Sequence, residues 1–145
     1  MAHKVQTYAN HRRFQPLYHY VAMPILVANV GFEIAYTLRN PTWFSAWRVL
    51  FAVGLVIGLL VSRGMVLVVQ NRLIGLEMRL RLLAMLPPDQ RTRISELRLG
   101  QLIALRFAGD AELPALVERC LSGQLVKPDD IKREIRDWRP DFVRA

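Results

Sequence analysis

The sequence predicts an all-α protein: a two-helix transmembrane hairpin, with the second helix extended into a small helical cytoplasmic domain. Apolar residues are concentrated in two blocks, residues 17–38 and residues 47–69. Each block can cross about 30 Å of hydrocarbon as a helix that rises about 1.5 Å per residue. Residues 70–145 show helical apolar spacing and no alternating strand pattern. We therefore expect an N-terminal arm over residues 1–16, the hairpin over residues 17–69 and a helical domain over residues 70–145.

Composition argues against several other classes of protein. With 52% hydrophobic residues in its 145, the chain is not expected to be disordered or to form a water-soluble globule. The single cysteine, Cys120, excludes a disulfide framework and a multi-cysteine zinc site, and it indicates a reducing compartment. We attribute the net charge of +8 to membrane topology and to attraction to anionic lipids, and we expect no nucleic-acid binding.

The first span, residues 17–38, is predicted to be a permanent membrane helix. Its apolar run is too long for a cleavable signal peptide, and no small-residue cleavage site follows it. Pro24 removes one helix hydrogen bond and predicts a kink. His19, between Tyr18 and Tyr20, is interpreted as a residue of the interfacial belt; ligation of a tetrapyrrole metal is the less favoured alternative.

A short connection, residues 39–46, joins the first span to the second, residues 47–69. Asn40 and Pro41 end the first helix, and Thr42 or Ser45 is available to cap the second. Lys and Arg are more frequent around the outer ends of the hairpin than around the loop, which predicts that both termini are cytoplasmic. Aromatic residues mark both boundaries: Tyr36, Trp43, Phe44 and Trp47 at the loop end, and Phe14, Tyr18 and Tyr20 at the other.

Residues 70–145 are predicted to form a series of helices. The second membrane helix continues without a breaker to Pro87, with Leu73, Leu76, Leu80 and Leu83 on one face. Further helices are predicted after a cap at Asp89, over residues 100–108, from Asp110 to Gly123, and from Pro128 to Pro140.

Small residues recur at helical spacing in both spans. They are Ala28, Gly31 and Ala35 in the first span, and Gly54, Gly58 and Ser62 in the second. When depth in the membrane is counted from the loop at about 1.5 Å per residue, the two sets lie at matching depths and face each other. Because small residues allow close helix approach in membranes, we predict that they pack helices, either within the hairpin or against a different protein.

Two charged residues, Glu33 and Arg63, lie within the spans. Their depths differ by about 16 Å, so they cannot pair with each other. Glu33 is within reach of Arg48 or Arg39 near the loop, and Arg63 can extend toward the cytoplasmic headgroups. The alternative is that Glu33 and Arg63 make polar contacts with another membrane subunit.

The sequence contains no recognised catalytic or cofactor motif. It lacks a phosphate-binding glycine loop, a zinc-binding helix motif and a nucleophile elbow. The acidic residues near the C-terminus alternate with Lys and Arg, which indicates paired charges on a solvated helix. We expect no catalytic residue, no metal site and no cofactor, and hence no enzyme.

Three segments resemble an uncharacterised family of small bacterial two-span inner-membrane proteins. They are NHRRFQPLYHY from Asn10 to Tyr20, QLIALRFAGDAELPALVERCL from Gln101 to Leu121, and DDIKREIRDWRPDFVRA from Asp129 to Ala145. The resemblance covers nearly the whole chain and implies the bacterial cytoplasmic membrane, but it carries no catalytic or binding residue. The chain has Gly109 where the resemblance leads us to expect a serine.

The expected function is that of a non-catalytic accessory or structural subunit, which stabilises a larger bacterial membrane complex by helix packing. We favour an energy-converting complex, either a photosynthetic reaction centre with neighbouring pigment proteins or a respiratory complex. Phe107, Trp138 and Phe142 are predicted to bind a partner. The first alternative is a membrane-anchored recruitment or regulatory module, whose tail from Trp138 to Phe142 binds a soluble partner. A membrane enzyme or ligand carrier is the least favoured alternative.

Overall fold

The structure is a computed structural model, and it describes residues 15–140. The described chain divides into two compact units, residues 15–67 and residues 68–140. Its regular elements are helices, apart from an isolated antiparallel bridge between Ala108 and Trp138. The all-α prediction is confirmed, and so is the continuation of the second long helix beyond its apolar block.

The first unit begins with a π-helical turn, Leu17–Ala22, which leads directly into α1, Met23–Arg39. The Met23 N–H donates to the Tyr18 carbonyl, one residue further back than in an α-helix. Pro24 follows at the start of α1, where a residue without an N–H is tolerated. A wider helical turn thus precedes Pro24, and the kink predicted at Pro24 stays a prediction.

The second helix, α2, spans Trp43–Met85 and contains 43 residues. Thr42 and Ser45 cap its start reciprocally: the Ser45 N–H donates to Thr42 Oγ1 at 3.1 Å, and the Thr42 N–H donates to Ser45 Oγ at 3.0 Å. This arrangement satisfies two backbone donors that a helix start leaves open. It explains why α2 begins at Trp43, before the predicted start of the span at Trp47.

Two helices, Leu17–Arg39 and Trp43–Met85, are long and apolar enough to cross a membrane, by length and composition. In the most apolar window of each helix only 6% is buried within the chain, whereas the core helix of a soluble protein is mostly buried. Bulky apolar side chains are exposed along both helices, among them Ile25, Phe32, Leu50, Phe51, Ile57 and Leu60. These apolar side chains are therefore not buried within the chain and are available to contact lipid or another protein.

The second unit packs short helices against the C-terminal part of α2. They are α3, Pro88–Arg91; a 3₁₀ turn, Ile94–Glu96; α4, Leu99–Leu105; α5, Leu113–Leu121; and α6, Pro128–Glu134. From α2, the side chains of Ile74, Met78 and Leu82 enter the core. Gly75 permits close approach of α4, since a Cβ there would lie 2.6 Å from Leu99 Cδ1. Central to the unit is α4, which contacts both α5 and α6.

The last helix, α6, ends at Glu134 and not at Pro140, so the prediction of a longer helix is wrong. Beyond it the chain pairs with the segment after α4. There the Gly109 N–H donates to the Asp137 carbonyl, and the Arg139 N–H donates to the Phe107 carbonyl, both at 2.8 Å. A Cβ on residue 109 would lie 2.7 Å from Asp137 Cγ and 3.1 Å from its Cβ. This close contact explains why a glycine stands where we expected a serine.

Two predicted helix caps are also wrong. The N-cap of α3 is Pro87, and Asp89 lies in the first turn, where the helix dipole still favours an acid. Helix α5 has Glu112 as its N-cap, whereas Asp110 forms an ion pair with Arg81 of α2. Asp110 therefore connects two elements of the unit and does not cap a helix.

Candidate docking site

The candidate site centres on Glu33, a residue of α1 that is only 8% exposed. Its Oε1 accepts a hydrogen bond from Arg48 Nη2 of α2 at 2.7 Å. The Arg48 guanidinium also lies 4.9 Å from the centre of the Tyr36 ring, within cation–π distance. The structure thus pairs Glu33 with Arg48, one of the two partners within reach by depth. Arg63 lies elsewhere, with its guanidinium carbon 5.7 Å from the centre of the Tyr18 ring.

The second carboxylate oxygen of Glu33, Oε2, is buried and accepts no hydrogen bond from the residues that the structure describes. Leaving a buried acceptor without a donor costs about 1–3 kcal/mol, and more when the group is charged. Most buried polar atoms in proteins have a partner, so an exception requires an explanation. A donor from outside the chain would remove this cost.

An open groove of about 430 Å³ lies beside Glu33. Asn29, Glu33 and Arg48 form its polar part. The apolar residues that line it are Phe44, Trp47, Phe51, Ala52 and Leu55. Its three aromatic side chains are 54–69% exposed, so they present apolar surface around the buried carboxylate. The sequence singled out Glu33 but did not predict the groove. Asn29 lies four residues before Glu33 and hence on the same helix face, and this spacing was the one signal that could have indicated a polar site.

The lining of the groove combines one carboxylate with apolar walls. Among the described lining residues there is no histidine, thiol or hydroxyl group, and Glu33 is the one carboxylate. Apolar walls lower the local dielectric, which strengthens a hydrogen bond to a carboxylate that is made inside them. A partner that supplies an N–H or O–H group on an apolar helix would match both parts of the groove.

The predicted small-residue rows do not hold the hairpin together. Ala28, Gly31, Ala35, Gly54, Gly58 and Ser62 are all exposed. A Cβ added at Gly31, Gly54 or Gly58 would meet no atom within 4 Å. The prediction that these rows pack the two helices of the hairpin together is therefore wrong. The alternative, that the rows dock on a different protein, stays a prediction.

In the first unit, a different face of α2 is the more buried one. Ser45 and Ala52 are 1% exposed, and Val49, Val56 and Leu59 continue the same row with intermediate exposure. These residues alternate at three- and four-residue spacing, which is the spacing of a left-handed helix pair. The Thr37 hydroxyl donates to the Ser45 carbonyl at 3.1 Å and joins the two helices next to the turn. Sequence reasoning missed this row because Val and Leu also face lipid.

His19 lies at the other end of the hairpin from Glu33. Its Nδ1 is 2.9 Å from the Gln15 carbonyl oxygen, and its ring meets the Tyr18 ring edge-on at 4.9 Å between centres. Over residues 15–140, no group of three His, Cys, Asp or Glu residues is placed to hold a metal ion. That result does not bear on a tetrapyrrole metal, which takes a single axial ligand from the protein, so ligation by His19 stays a prediction.

The predicted partner-binding residues of the second unit belong to its core. Phe107 is 1% exposed, and its ring centre lies 5.1 Å from that of Trp138. Trp138 packs against the core, and its Nε1 donates to the Ile135 carbonyl at 3.1 Å. The prediction that these two aromatic residues are presented to a partner is wrong. Phe142 and the arm residues 1–14 lie outside the described residues.

Charged groups in the second unit mainly connect its elements. The Arg81 side chain donates to the Ala108 carbonyl at 2.8 Å and forms a close ion pair with Asp110, which holds the pKa of that carboxyl below its usual value. Arg119 binds Glu134 at 2.9 Å and lowers the pKa of Glu134 in the same way. Burial raises the pKa of the Cys120 thiol to about 11, so this thiol stays protonated at neutral pH.

Comparison with known proteins places the chain in a family. A family whose description reads "Family of unknown function (DUF6526)" matches residues 1–145. No curated protein and no solved structure is significantly similar to the chain.

Proposed function

The chain belongs to the DUF6526 family of unknown function, and we propose that it is a non-catalytic accessory subunit of a larger membrane complex. The groove around Glu33 receives a helix of another integral-membrane subunit in this proposal. The partner helix supplies apolar side chains to the aromatic walls and, once the Glu33 side chain turns toward the groove, a hydrogen-bond donor to its Oε2.

One observation carries the proposal: a buried carboxylate oxygen without a donor, in a groove lined by exposed aromatic residues. Water at a membrane surface would hydrate an exposed carboxylate, but Glu33 is 8% exposed and its Oε2 is buried. Lipid chains fill apolar walls equally well but offer no donor. A protein helix satisfies both the polar and the apolar part of the groove.

We further propose that both helices cross the bacterial cytoplasmic membrane, with both termini in the cytoplasm. Supporting this are the length of the helices, their low burial within the chain and the position of the cationic residues. The loop with Trp43 and Trp47 then lies at the outer surface, where tryptophan is enriched. The site at Glu33 lies about one helical turn or two below it.

The proposal is tested by gentle detergent extraction and native mass measurement of two tryptophan variants. Trp47 lines the groove and is 54% exposed, whereas Trp43 is 87% exposed and does not line it. We expect the wild-type chain and Trp43→Ala to be recovered with a defined set of membrane subunits, and Trp47→Ala to lose them about tenfold or more. The subunits recovered also test the expectation of an energy-converting complex.

Two outcomes would contradict the proposal. The first is recovery of the wild-type chain as an isolated 16.7 kDa species under conditions that preserve known complexes. The second is an equal loss of subunits in both tryptophan variants, because that result would point to general interfacial anchoring and not to the groove.

A further inference from the structure

The part of α2 that belongs to the second unit carries a second apolar face, which the unit does not cover. This leucine face consists of Val69, Leu73, Leu76, Leu80 and Leu83. Their exposed fractions are 66%, 55%, 53%, 59% and 47%. An exposed apolar patch of this kind, with charged residues beside it, usually marks a surface that binds another protein or a membrane.

The leucine face lies opposite the side of α2 that packs into the core. The core side uses Ile74, Met78 and Leu82, spaced by four residues. At about 100° per residue, the leucine face is centred roughly 180° around the helix from these three residues. Burial of the core therefore cannot also bury the leucine face.

The spacing of the leucine face is that of a coiled coil. Its members follow one another at intervals of four, three, four and three residues. This is the a and d pattern of a heptad, in which Leu73 and Leu80 take position a and the other three take position d. Helices with this pattern pair with another helix of the same kind.

Three charged residues flank the leucine face: Arg72 and Arg79 at heptad position g, and Glu77 at position e. All three are exposed, and within residues 15–140 none of them forms an ion pair with a described residue. In a parallel pair of helices, position g contacts position e five residues further along the other helix. Arg72 then meets the partner's Glu77, and the two-fold axis repeats the contact. An antiparallel pair would instead place Arg beside Arg.

We propose that a second copy of this chain covers the leucine face, in a parallel, two-fold symmetric coiled coil. The charge pattern selects a parallel pair, and anchoring of both copies in one membrane, as proposed above, would require the same direction. The inference uses residues of the second unit alone, so it does not depend on the accessory role. It gives the chain two separate contacts: a copy of itself on the leucine face and another subunit at the groove.

The first experiment is cysteine crosslinking of the full chain in detergent, in a Cys120→Ala background. Single cysteines replace Leu76, Leu83 or Val126; the Val126 control, at 46% exposure, matches Leu83 at 47% but lies outside α2. In a parallel pair both d positions face their own copies. We expect disulfide-linked dimers from Leu76→Cys and Leu83→Cys, at least about fivefold above Val126→Cys. Equal crosslinking at all three positions would overturn the proposal, and so would self-crosslinking at only one d position.

The second experiment exchanges the flanking charges and measures the dimer fraction by native mass. Arg72→Glu and Glu77→Arg each replace two attractive contacts by repulsive ones, and we expect about tenfold weaker dimers from either change. The double variant restores both pairs with reversed sign and should dimerise like the wild type. Failure of the double variant to recover would overturn the proposal, as would a leucine face occupied by a different protein. A monomer that still recovers other membrane subunits would refute the dimer alone and leave the proposed function standing.

Discussion

Replacing Arg81 by methionine tests how the second unit is held to α2. The side chain of Arg81 is 14% exposed and donates to the Ala108 carbonyl at 2.8 Å. Methionine keeps the apolar stem and fills the space but has no donor. Ala108 is 0% exposed, so its carbonyl would lose a charged donor without gaining water. A hydrogen bond from a charged group contributes about 1.5–3 kcal/mol, and we expect a loss of about 2 kcal/mol.

That loss is large for a small unit. At about 0.05–0.15 kcal/mol per residue, a unit of this size has a total stability of roughly 4–10 kcal/mol. A loss of about 2 kcal/mol lowers the Tm of a unit of this size by about 8–16 °C. The near-ultraviolet signal of Trp138, which packs on Phe107, reports its unfolding when Trp43 and Trp47 are replaced by phenylalanine.

The matched control is Arg79→Met, two residues away on the same helix. Arg79 is exposed and forms no ion pair with a described residue, so its replacement should change the Tm by little, equivalent to about 0.5 kcal/mol or less. Protein concentration is held constant because the proposed dimer would couple to unfolding. Equal Tm values for the two variants would refute the structural role of Arg81.

Three further predictions concern the same unit. Gly109→Ala should lower the free energy of unfolding of the second unit by about 1–3 kcal/mol because the new Cβ would meet Asp137. Gly64→Ala, in the part of α2 that belongs to the first unit, meets no atom within 4 Å and should leave the thermal unfolding of the second unit unchanged. The folded pKa of Asp110 lies below its ordinary 3.8, so its pair with Arg81 stabilises the fold above pH 3.8 and this stabilisation is lost as the pH falls through the folded pKa. In an acid titration, the free energies of unfolding of wild type and Asp110→Asn should therefore converge at that low pH. The folded pKa of Cys120 is about 11 against an ordinary 9.0, so burial of the protonated thiol contributes stability that is lost as the pH rises from about 9 to 11. Cys120→Ala should remove this pH dependence of the free energy of unfolding in an alkaline titration. An unchanged pH dependence would contradict the raised pKa of Cys120.

Local sequence signals predicted the helices well where local chemistry decides them. Thr42 and Ser45 were recognised as capping residues from their position before an apolar run, and the structure uses both. Helix α2 continues to Met85, next to the two prolines that end it. The end of α6 was missed because pairing with residues 107–109, nearly thirty positions earlier, draws the chain out of the helix. No local pattern encodes such a contact.

The site was only partly accessible from sequence for a geometric reason. Depth counting at about 1.5 Å per residue excluded a pair between Glu33 and Arg63 and left Arg48 within reach, because axial level follows from residue number. The same counting set the small residues of the two spans at matching levels but could not fix the rotation of each helix about its axis. Gly54 and Gly58 therefore match Gly31 and Ala28 in depth and still face away from the hairpin interior.

Sequence reasoning also overestimated the exposure of aromatic residues in the second unit. Phe107 and Trp138 lie more than thirty residues apart, and each occurs in a short segment where an exposed position was plausible. In the structure they pack on each other and help close the core. Recognition of their contact required the antiparallel bridge between Ala108 and Trp138, which is also nonlocal.

Site-specific photocrosslinking in intact membranes tests the proposed docking at the groove most directly. A benzophenone side chain replaces Phe51, which lines the groove, or Ile57, which is similarly exposed at 54% but does not line it. We predict that position 51 gives a discrete adduct with one integral-membrane protein, that position 57 does not give this adduct, and that Glu33→Gln abolishes it. Adducts with lipid alone at position 51, or the same protein adduct in the presence of Glu33→Gln, would contradict the account.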